Sequence, residues 1–345
     1  MMKFEYEKYW VEEISNESSF QWLGPQALAP EQMVGVYDDT PLPELPASLH
    51  PARDRFLTAL KPRAEATGKT CDNNLSYSLA RIDVTRPQGG AELERKTVYR
   101  LVFRPTDYFH FQFPNNSLDD TIEVNGRETT ARAELGLNAE ELSLERLQTA
   151  KCHFKLGTGT VIITKPDTPG GPEHVVVSIR SYRQLMVGRA QGASYHLSAA
   201  EGMLRPADGP DGNPTPFRTA ARSLKEELGL IPGRHFEESE LRCLGVYLDT
   251  KRAQPFVLMF VRVPLTFEEV RARWKQAPHR HENEKVLGLP WTQENAHSLC
   301  TGSFEDDDGA YNVASNHAQL GFLLAAAHEA EQRAASGMGR FLFRN

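Results

Sequence analysis

The chain lacks a long apolar run, a surplus of positive charge and any close pairing of cysteines, and each absence removes a class of function. No stretch is long and apolar enough to span a bilayer. The opening MMKFEYEKYWVEEISNESSF carries charges where a secretory leader has its apolar core, so a cytoplasmic protein is expected. A formal net charge of -7 leaves no broad basic footprint for nucleic acid or anionic lipid, although a local basic groove is compatible with a negative total. Neither DNA nor a membrane is therefore expected as a partner. Cys71, Cys152, Cys243 and Cys300 lie far apart without a CxxC pair, which argues against a zinc site and a dense disulfide framework. Free, buried thiols are the plainer reading. Internal repeats are also missing, which removes solenoid architectures.

What remains is an ordinary folded composition, 40% hydrophobic and 25% charged, on a chain of 345 residues, more than one core usually serves. Two domains are expected, a smaller α+β domain over residues 1–150 and a second domain over 151–335, followed by a tail over 336–345. The proline-dense PLPELPASLHPA, Pro41 to Ala52, reads as a surface crossing, and the residues before it are free to wrap around the body. A short helix over Arg53 to Leu60, ended by Pro62, is expected, then strands over Leu75 to Val84 and Thr97 to Phe103. YFHFQF, Tyr108 to Phe113, reads as extended chain with Phe109, Phe111 and Phe113 on one side. Core packing is favoured there over an aromatic shelf for a base.

From Cys152 the texture becomes strand-rich. FKLGTGTVIIT, the turn PDTPGGP and HVVVSIRS read as a β-hairpin, and CLGVYLD and PFVLMFVRV as further strands of a mixed sheet. Thr266 with Glu269 forms a capping-box signature, and Asn316 to Glu331 an alanine-rich helix. Helices on both sides of one sheet give an α/β/α layering.

The segment that carries chemistry is TPFRTAARSLKEELGL, Thr215 to Leu230, with Thr as N-cap, Pro at the first helical position and Gly229 after the last turn. Phe217, Ala220, Ala221, Leu224 and Leu228 form one apolar stripe, which leaves Arg222, Ser223, Glu226 and Glu227 on the remaining surface. Adjacent carboxylates on a rigid helix suit a hard cation, and Arg222, four residues before Glu226, can orient that side chain. Alone, such a face is most often solvated surface with i,i+4 pairs.

The wider pattern is more specific. Arg222-Ser-Leu-Lys-Glu226-Glu227-Leu-Gly229-Leu230 resembles the second half of the Nudix box, GX5EX7REUXEEXGU, in which U is a bulky aliphatic residue. The resemblance covers about the last half of the chain and implies a Nudix-type α/β/α sandwich around a mixed sheet. It matches Glu226 and Glu227 to the family's metal-binding glutamates and Arg222 to the arginine that orients them. Two positions depart from it: Ser223 stands where a further glutamate is usual, and Pro214 where the first half of the box has its glutamate. Met203 to Pro214 then reads as an insertion, with Ala200, Glu201 and Gly202 in place of the usual glycine pair. On that alignment Glu201 replaces the missing carboxylate as base and metal ligand; a loop glutamate in water is the competing reading. Glu282 and Glu284 are further acidic candidates, Glu282 as metal ligand, against the plainer reading of a solvated hairpin.

What the resemblance implies is Mg²⁺- or Mn²⁺-dependent hydrolysis of a nucleoside diphosphate linked to another group. Glu227, Glu201 and Arg222 would serve catalysis, and Glu226, Glu227, Glu201 and Glu282 the metal. Arg180 and Arg183 would grip phosphate through charge-assisted hydrogen bonds, although exposed arginines are common. Tyr247, Trp274 and Trp291 are aromatic candidates for stacking on a base, with core packing the plainer role. A homodimer is compatible with the family. The alternative, favoured by Ser223 and Pro214, is a nucleotide-binding sensor that has lost turnover.

Overall fold

The computed structural model describes residues 18–21, 27–66, 73–85, 97–137, 142–144, 147, 152–180, 194–209, 212–306 and 309–335. Arg183, Cys71 and the 336–345 tail lie outside them. The chain runs β1 (Ser18–Gln21), β2 (Met33–Tyr37), α1 (His50–Ala66), β3 (Leu75–Thr85), β4 (Val98–Asp107), α2 (Tyr108–Ser117), β5 (Thr121–Val124), β6 (Arg127–Thr130) and α3 (Ala131–Leu135). It continues through β7 (Gly157–Thr164), β8 (His174–Arg180), β9 (Ser194–His196), β10 (Ala199–Gly202), α4 (Pro216–Leu228), β11 (Arg242–Asp249), β12 (Gln254–Val263) and α5 (Phe267–Trp274). The last elements are β13 (Asn283–Pro290), α6 (Gln293–Thr301), β14 (Ser303–Asp306), β15 (Gly309–Val313) and α7 (Asn316–Ala335). The result is a mixed α/β fold. Among the described residues no helix is long and apolar enough to cross a membrane.

The large sheet has the order β1-β11-β12-β7-β8-β9-β15-β14, with β10 also on β7 and β13 also on β8. β12 and β7 are parallel; β7 and β8 form the antiparallel hairpin expected from the sequence. That hairpin opens. Ile162 to Thr164 pair with β8, whereas Gly157 to Thr160 pair with β10, so the segment from β9 to β10 enters as a wedge between the two strands. Ser198, fully buried, holds the fork: its Oγ accepts from Ile162 N at 2.9 Å and donates to Val176 O at 2.5 Å, while its carbonyl accepts from Ser178 Oγ at 2.6 Å. The hydroxyl and carbonyl of Ser198 are thus paired, as burial demands. Glu201 leaves this wedge opposite Thr158.

All eight residues of β7 are buried because both faces of the strand are covered. Ile162 belongs to one core with Phe217, Leu224 and Leu228 of α4, and Val161 and Ile163 to the other with Leu320, Phe322 and Leu324 of α7. The first core extends without a break into the three-stranded sheet β2-β4-β3, through Leu79, Leu101, Phe103, Phe154 and Leu156. Residues before Pro41 do wrap around the body: β1 pairs antiparallel with β11, and Leu28 bridges Cys243. Cys152, Cys243 and Cys300 are free and buried.

Two sequence expectations are corrected. Tyr108 to Phe113 is not extended but opens α2, because the Asp107 carboxylate accepts from Phe109 N and His110 N at 3.1 and 3.0 Å and nucleates a helix. The alternation of phenylalanines hid the spacing of Phe111, Pro114 and Ser117, which are buried three residues apart. α1 does not stop before Pro62 but runs through it to Ala66. Thr58, whose carbonyl Pro62 leaves without an intrahelical donor, is exposed, so water can replace the lost bond.

Candidate functional site

α4 forms as its punctuation predicts. Thr215 Oγ1 accepts from Phe217 N at 3.3 Å, Pro216 opens the helix, and Gly229 ends it at φ 69°, a left-handed conformation that favours glycine. The helix packs across β10 and β7, and this crossing sets its polar residues against the wedge. Arg222 sits at the centre. Its Nε and Nη2 donate to the two oxygens of Asp208 at 2.9 and 3.0 Å, Nη2 donates to Gly202 O at 2.8 Å, and Nη1 donates to Glu226 Oε2 at 2.8 Å. Burial alone would make the guanidinium easier to deprotonate; hydrogen bonds and charge from Asp208, then Glu201 and Glu226, outweigh it and keep Arg222 charged.

Asp208 escaped the sequence reading. It lies in the Met203 to Pro214 segment, yet its carboxylate is fully buried, accepting from Leu204 N at 2.8 Å as well as from Arg222. Its carbonyl accepts from Thr215 N at 3.1 Å, so one residue ties this segment to both the start and the middle of α4. The only available signal was a charge among turn residues, which most often marks solvent.

Glu201 and Glu226, both predicted, are brought together, and a residue that was not predicted joins them. One ligand atom each from Glu201, Glu226 and His279 lies within 4.8 Å of the others. His279 N donates to Glu226 O at 2.7 Å, which anchors the loop after α5 to the last turn of α4. Its Nδ1, 3.7 Å from Glu226 Oε2, is buried and has no hydrogen-bond partner among the described residues. Two histidines, His279 and His281, standing directly before Glu282 were the signal that could have marked it.

The expectation that Ser223 and Glu227 lie on the helix surface is corrected: both are fully buried. They face β10, where Glu227 Oε1 accepts from Ala200 N at 2.9 Å and from Ser223 Oγ at 2.8 Å, and Oε2 accepts from Arg180 Nη1 at 3.4 Å. Burial pushes the Glu227 carboxyl up to about 7, against the opposing pull of Arg180, with Glu282 and Glu201 adding to the rise. Arg180 is itself turned inward, 3.4 Å from Asn283 Oδ1 and 3.6 Å from Glu282 Oε2. Glu227 and Glu282 thus meet Arg180 and stand outside the group formed by Glu201, Glu226 and His279. Of the aromatic candidates, Tyr247 is buried, Trp274 packs against the core under α4, and Trp291 packs on the opposite face of the sheet.

No protein-family model matches the chain, and no curated protein matches it. Among solved structures, a MutT/nudix family protein from Enterococcus faecalis is similar at 11% identity, over 52% of this chain and 62% of that one, with a TM-score of 0.34. The T. brucei MERS1 protein in complex with RNA is similar at 16% identity, over 34% of this chain and 37% of that one, with a TM-score of 0.26. Each match spans less than two thirds of the other chain, and at these scores neither likeness carries an argument about architecture or activity.

Proposed function

We propose that this chain is a Nudix-type hydrolase that uses a divalent cation to cleave the phosphoanhydride of a nucleoside diphosphate linked to another group. The observation that carries this reading is the convergence of Glu201, Glu226 and His279 around the braced Arg222, on the helix whose sequence resembles the Nudix box. Glu226 and His279 would hold the cation with Glu201, and the unpartnered Nδ1 of His279 fits that role. Two carboxylates and an imidazole suit Mn²⁺ better than Mg²⁺, which prefers oxygen alone. When bound, the cation would neutralise phosphate charge and acidify a water.

The chain's own residues supply the remainder. Water attacks one phosphorus, the bridging P–O bond breaks, and the attacking water's proton passes to Glu201, whose side chain keeps partial access to solvent. Arg222 holds Glu226 in place rather than touching substrate, since its donors are engaged by Asp208, Gly202 and Glu226. The products are a nucleotide and a phosphorylated remainder.

A second reading is favoured by Glu227. With three donors inside the protein and Ser223 in place of a further glutamate, the helix offers the cation one carboxylate where the box resemblance implies more. A nucleotide-binding sensor without turnover fits that shortage. Hydrolysis of ADP-ribose, NAD, dinucleoside polyphosphates and nucleoside triphosphates with Mn²⁺ or Mg²⁺, beside calorimetry on the same panel, separates the two. Turnover abolished by Glu226→Gln is the expected result; binding without turnover under either cation selects the sensor.

A further inference from the structure

Lys155, just before β7, is a cation that no contact described above uses. It is 8% exposed, and its stem lies flat on Gly202: a Cβ at position 202 would stand 2.3 Å from its Cε and 2.7 Å from its Nζ. The ammonium faces the Phe111 ring at 4.8 Å from the centroid and the Tyr108 ring at 5.7 Å. Among the described residues Nζ has no hydrogen bond and no carboxylate within 4.0 Å. Glu201, the neighbour of Gly202, is the charge that acts on it most strongly, followed by Arg222 and Asp208.

An ammonium has three donors and no acceptor, and an aromatic face compensates its charge without satisfying those donors. Burying a charge in that condition costs stability unless an opposite charge arrives. Among the described residues no close anion meets it, although the carboxylates of Glu201 and Asp208 act on it and are turned toward Arg222 instead. The two rings come from the start of α2, in the N-terminal half, so this arrangement also gives that half a part in the site.

We propose that Lys155, walled by Tyr108, Phe111 and Gly202, is the phosphate-oxygen subsite of the ligand held at Glu201, Glu226 and His279. This rests on the cation-and-phosphate reading of that cluster. Gly202 is required because any side chain there would occupy the space of the lysine stem.

The test uses the full chain, inorganic pyrophosphate as probe, and Mn²⁺ affinity as a separate readout. Lys155→Met keeps the stem and removes the charge; Lys155→Arg keeps the charge. Lys155→Met should bind Mn²⁺ within about twofold of the parent and lose about tenfold or more in pyrophosphate affinity, as the loss of a charge-assisted hydrogen bond predicts. Its ligand-free melting temperature should equal or exceed that of the parent, because a cation kept for a ligand opposes folding. Lys155→Arg should retain most of the affinity. Unchanged pyrophosphate binding in Lys155→Met overturns the subsite, as does a Lys155→Met chain that is markedly less stable or does not fold. If the parent chain binds no Mn²⁺ yet binds pyrophosphate through Lys155, the metal reading fails and the subsite stands. If Mn²⁺ binds and Lys155 makes no difference, the metal reading stands and the subsite fails.

Discussion

Ser223 shows how much a single position depends on what lies opposite it. From sequence it marks a lost glutamate; in the fold its hydroxyl donates to Glu227 in a buried contact under β10. Ser223→Glu therefore restores no ligand. It sets a second carboxylate beside a buried one, and we expect a loss of about 2–4 kcal/mol by urea denaturation with no gain in turnover. Glu227 gives a pH signature at the same place. Its folded pKa, about 7, lies above the ordinary value of 4.5, chiefly through burial. A raised carboxyl favours the folded state below the unfolded pKa and loses that contribution as pH rises through the folded one. In the metal-free chain stability should thus fall between pH 4.5 and about 7 by a component that Glu227→Gln lacks. Parallel urea curves for the two proteins across that range would refute the assignment. The caps of α4, Thr215 and Gly229, were legible because capping is local. The burial of Ser223 and Glu227 was not, because it depends on β10 arriving through a wedge that no local pattern announces.

At the scale of elements, α2 is where local pattern misled. Phenylalanines at alternate positions have the period of a strand, yet Asp107 accepts from two backbone donors of the first turn and also pairs with His110 Nδ1 at 2.7 Å. Burial would raise the Asp107 pKa, but the hydrogen bonds from His110 outweigh it and hold the carboxyl below its ordinary value. Asp107→Ala should cost about 1–2 kcal/mol in thermal or urea denaturation. Because Tyr108 and Phe111 begin this helix and face Lys155, the same substitution should weaken pyrophosphate binding, whereas Thr130→Ala, which uncaps α3, should cost similar stability and leave binding unchanged. The strands of the large sheet were easier to read. β7, β8, β11 and β12 are apolar runs bounded by turn residues, and burial on both faces is the condition under which such runs are strands.

At the scale of the whole molecule, the boundary placed at residue 150 follows composition, but the packing around α4 crosses it. The Met203 to Pro214 segment, an insertion by sequence, is clasped by the small N-terminal sheet. Arg205 N donates to Leu75 O at 3.0 Å, Tyr77 Oη donates to Gly209 O at 3.5 Å, and the Arg205 guanidinium lies 4.7 Å from the centroid of the Tyr37 ring. Gly35 of β2 makes the closest approach: a Cβ there would stand 1.4 Å from Pro214 O. Chain contacts of this length in sequence leave no periodic trace, so neither the clasp nor its cargo, Asp208, could be read beforehand. The consequence is a mechanical link from β2 through Pro214 and Asp208 to Arg222, and so to Glu226. Gly35→Ala must displace Pro214 and should cost about 1–3 kcal/mol, as overpacking does. If the clasp positions Asp208, Mn²⁺ affinity in the folded Gly35→Ala protein should fall as well, although Gly35 is remote in sequence from Glu201 and Glu226, since the link runs through contact and not along the chain. A stability loss with unchanged Mn²⁺ affinity would confine the N-terminal sheet to a packing role and leave Arg222 to hold Glu226 without it.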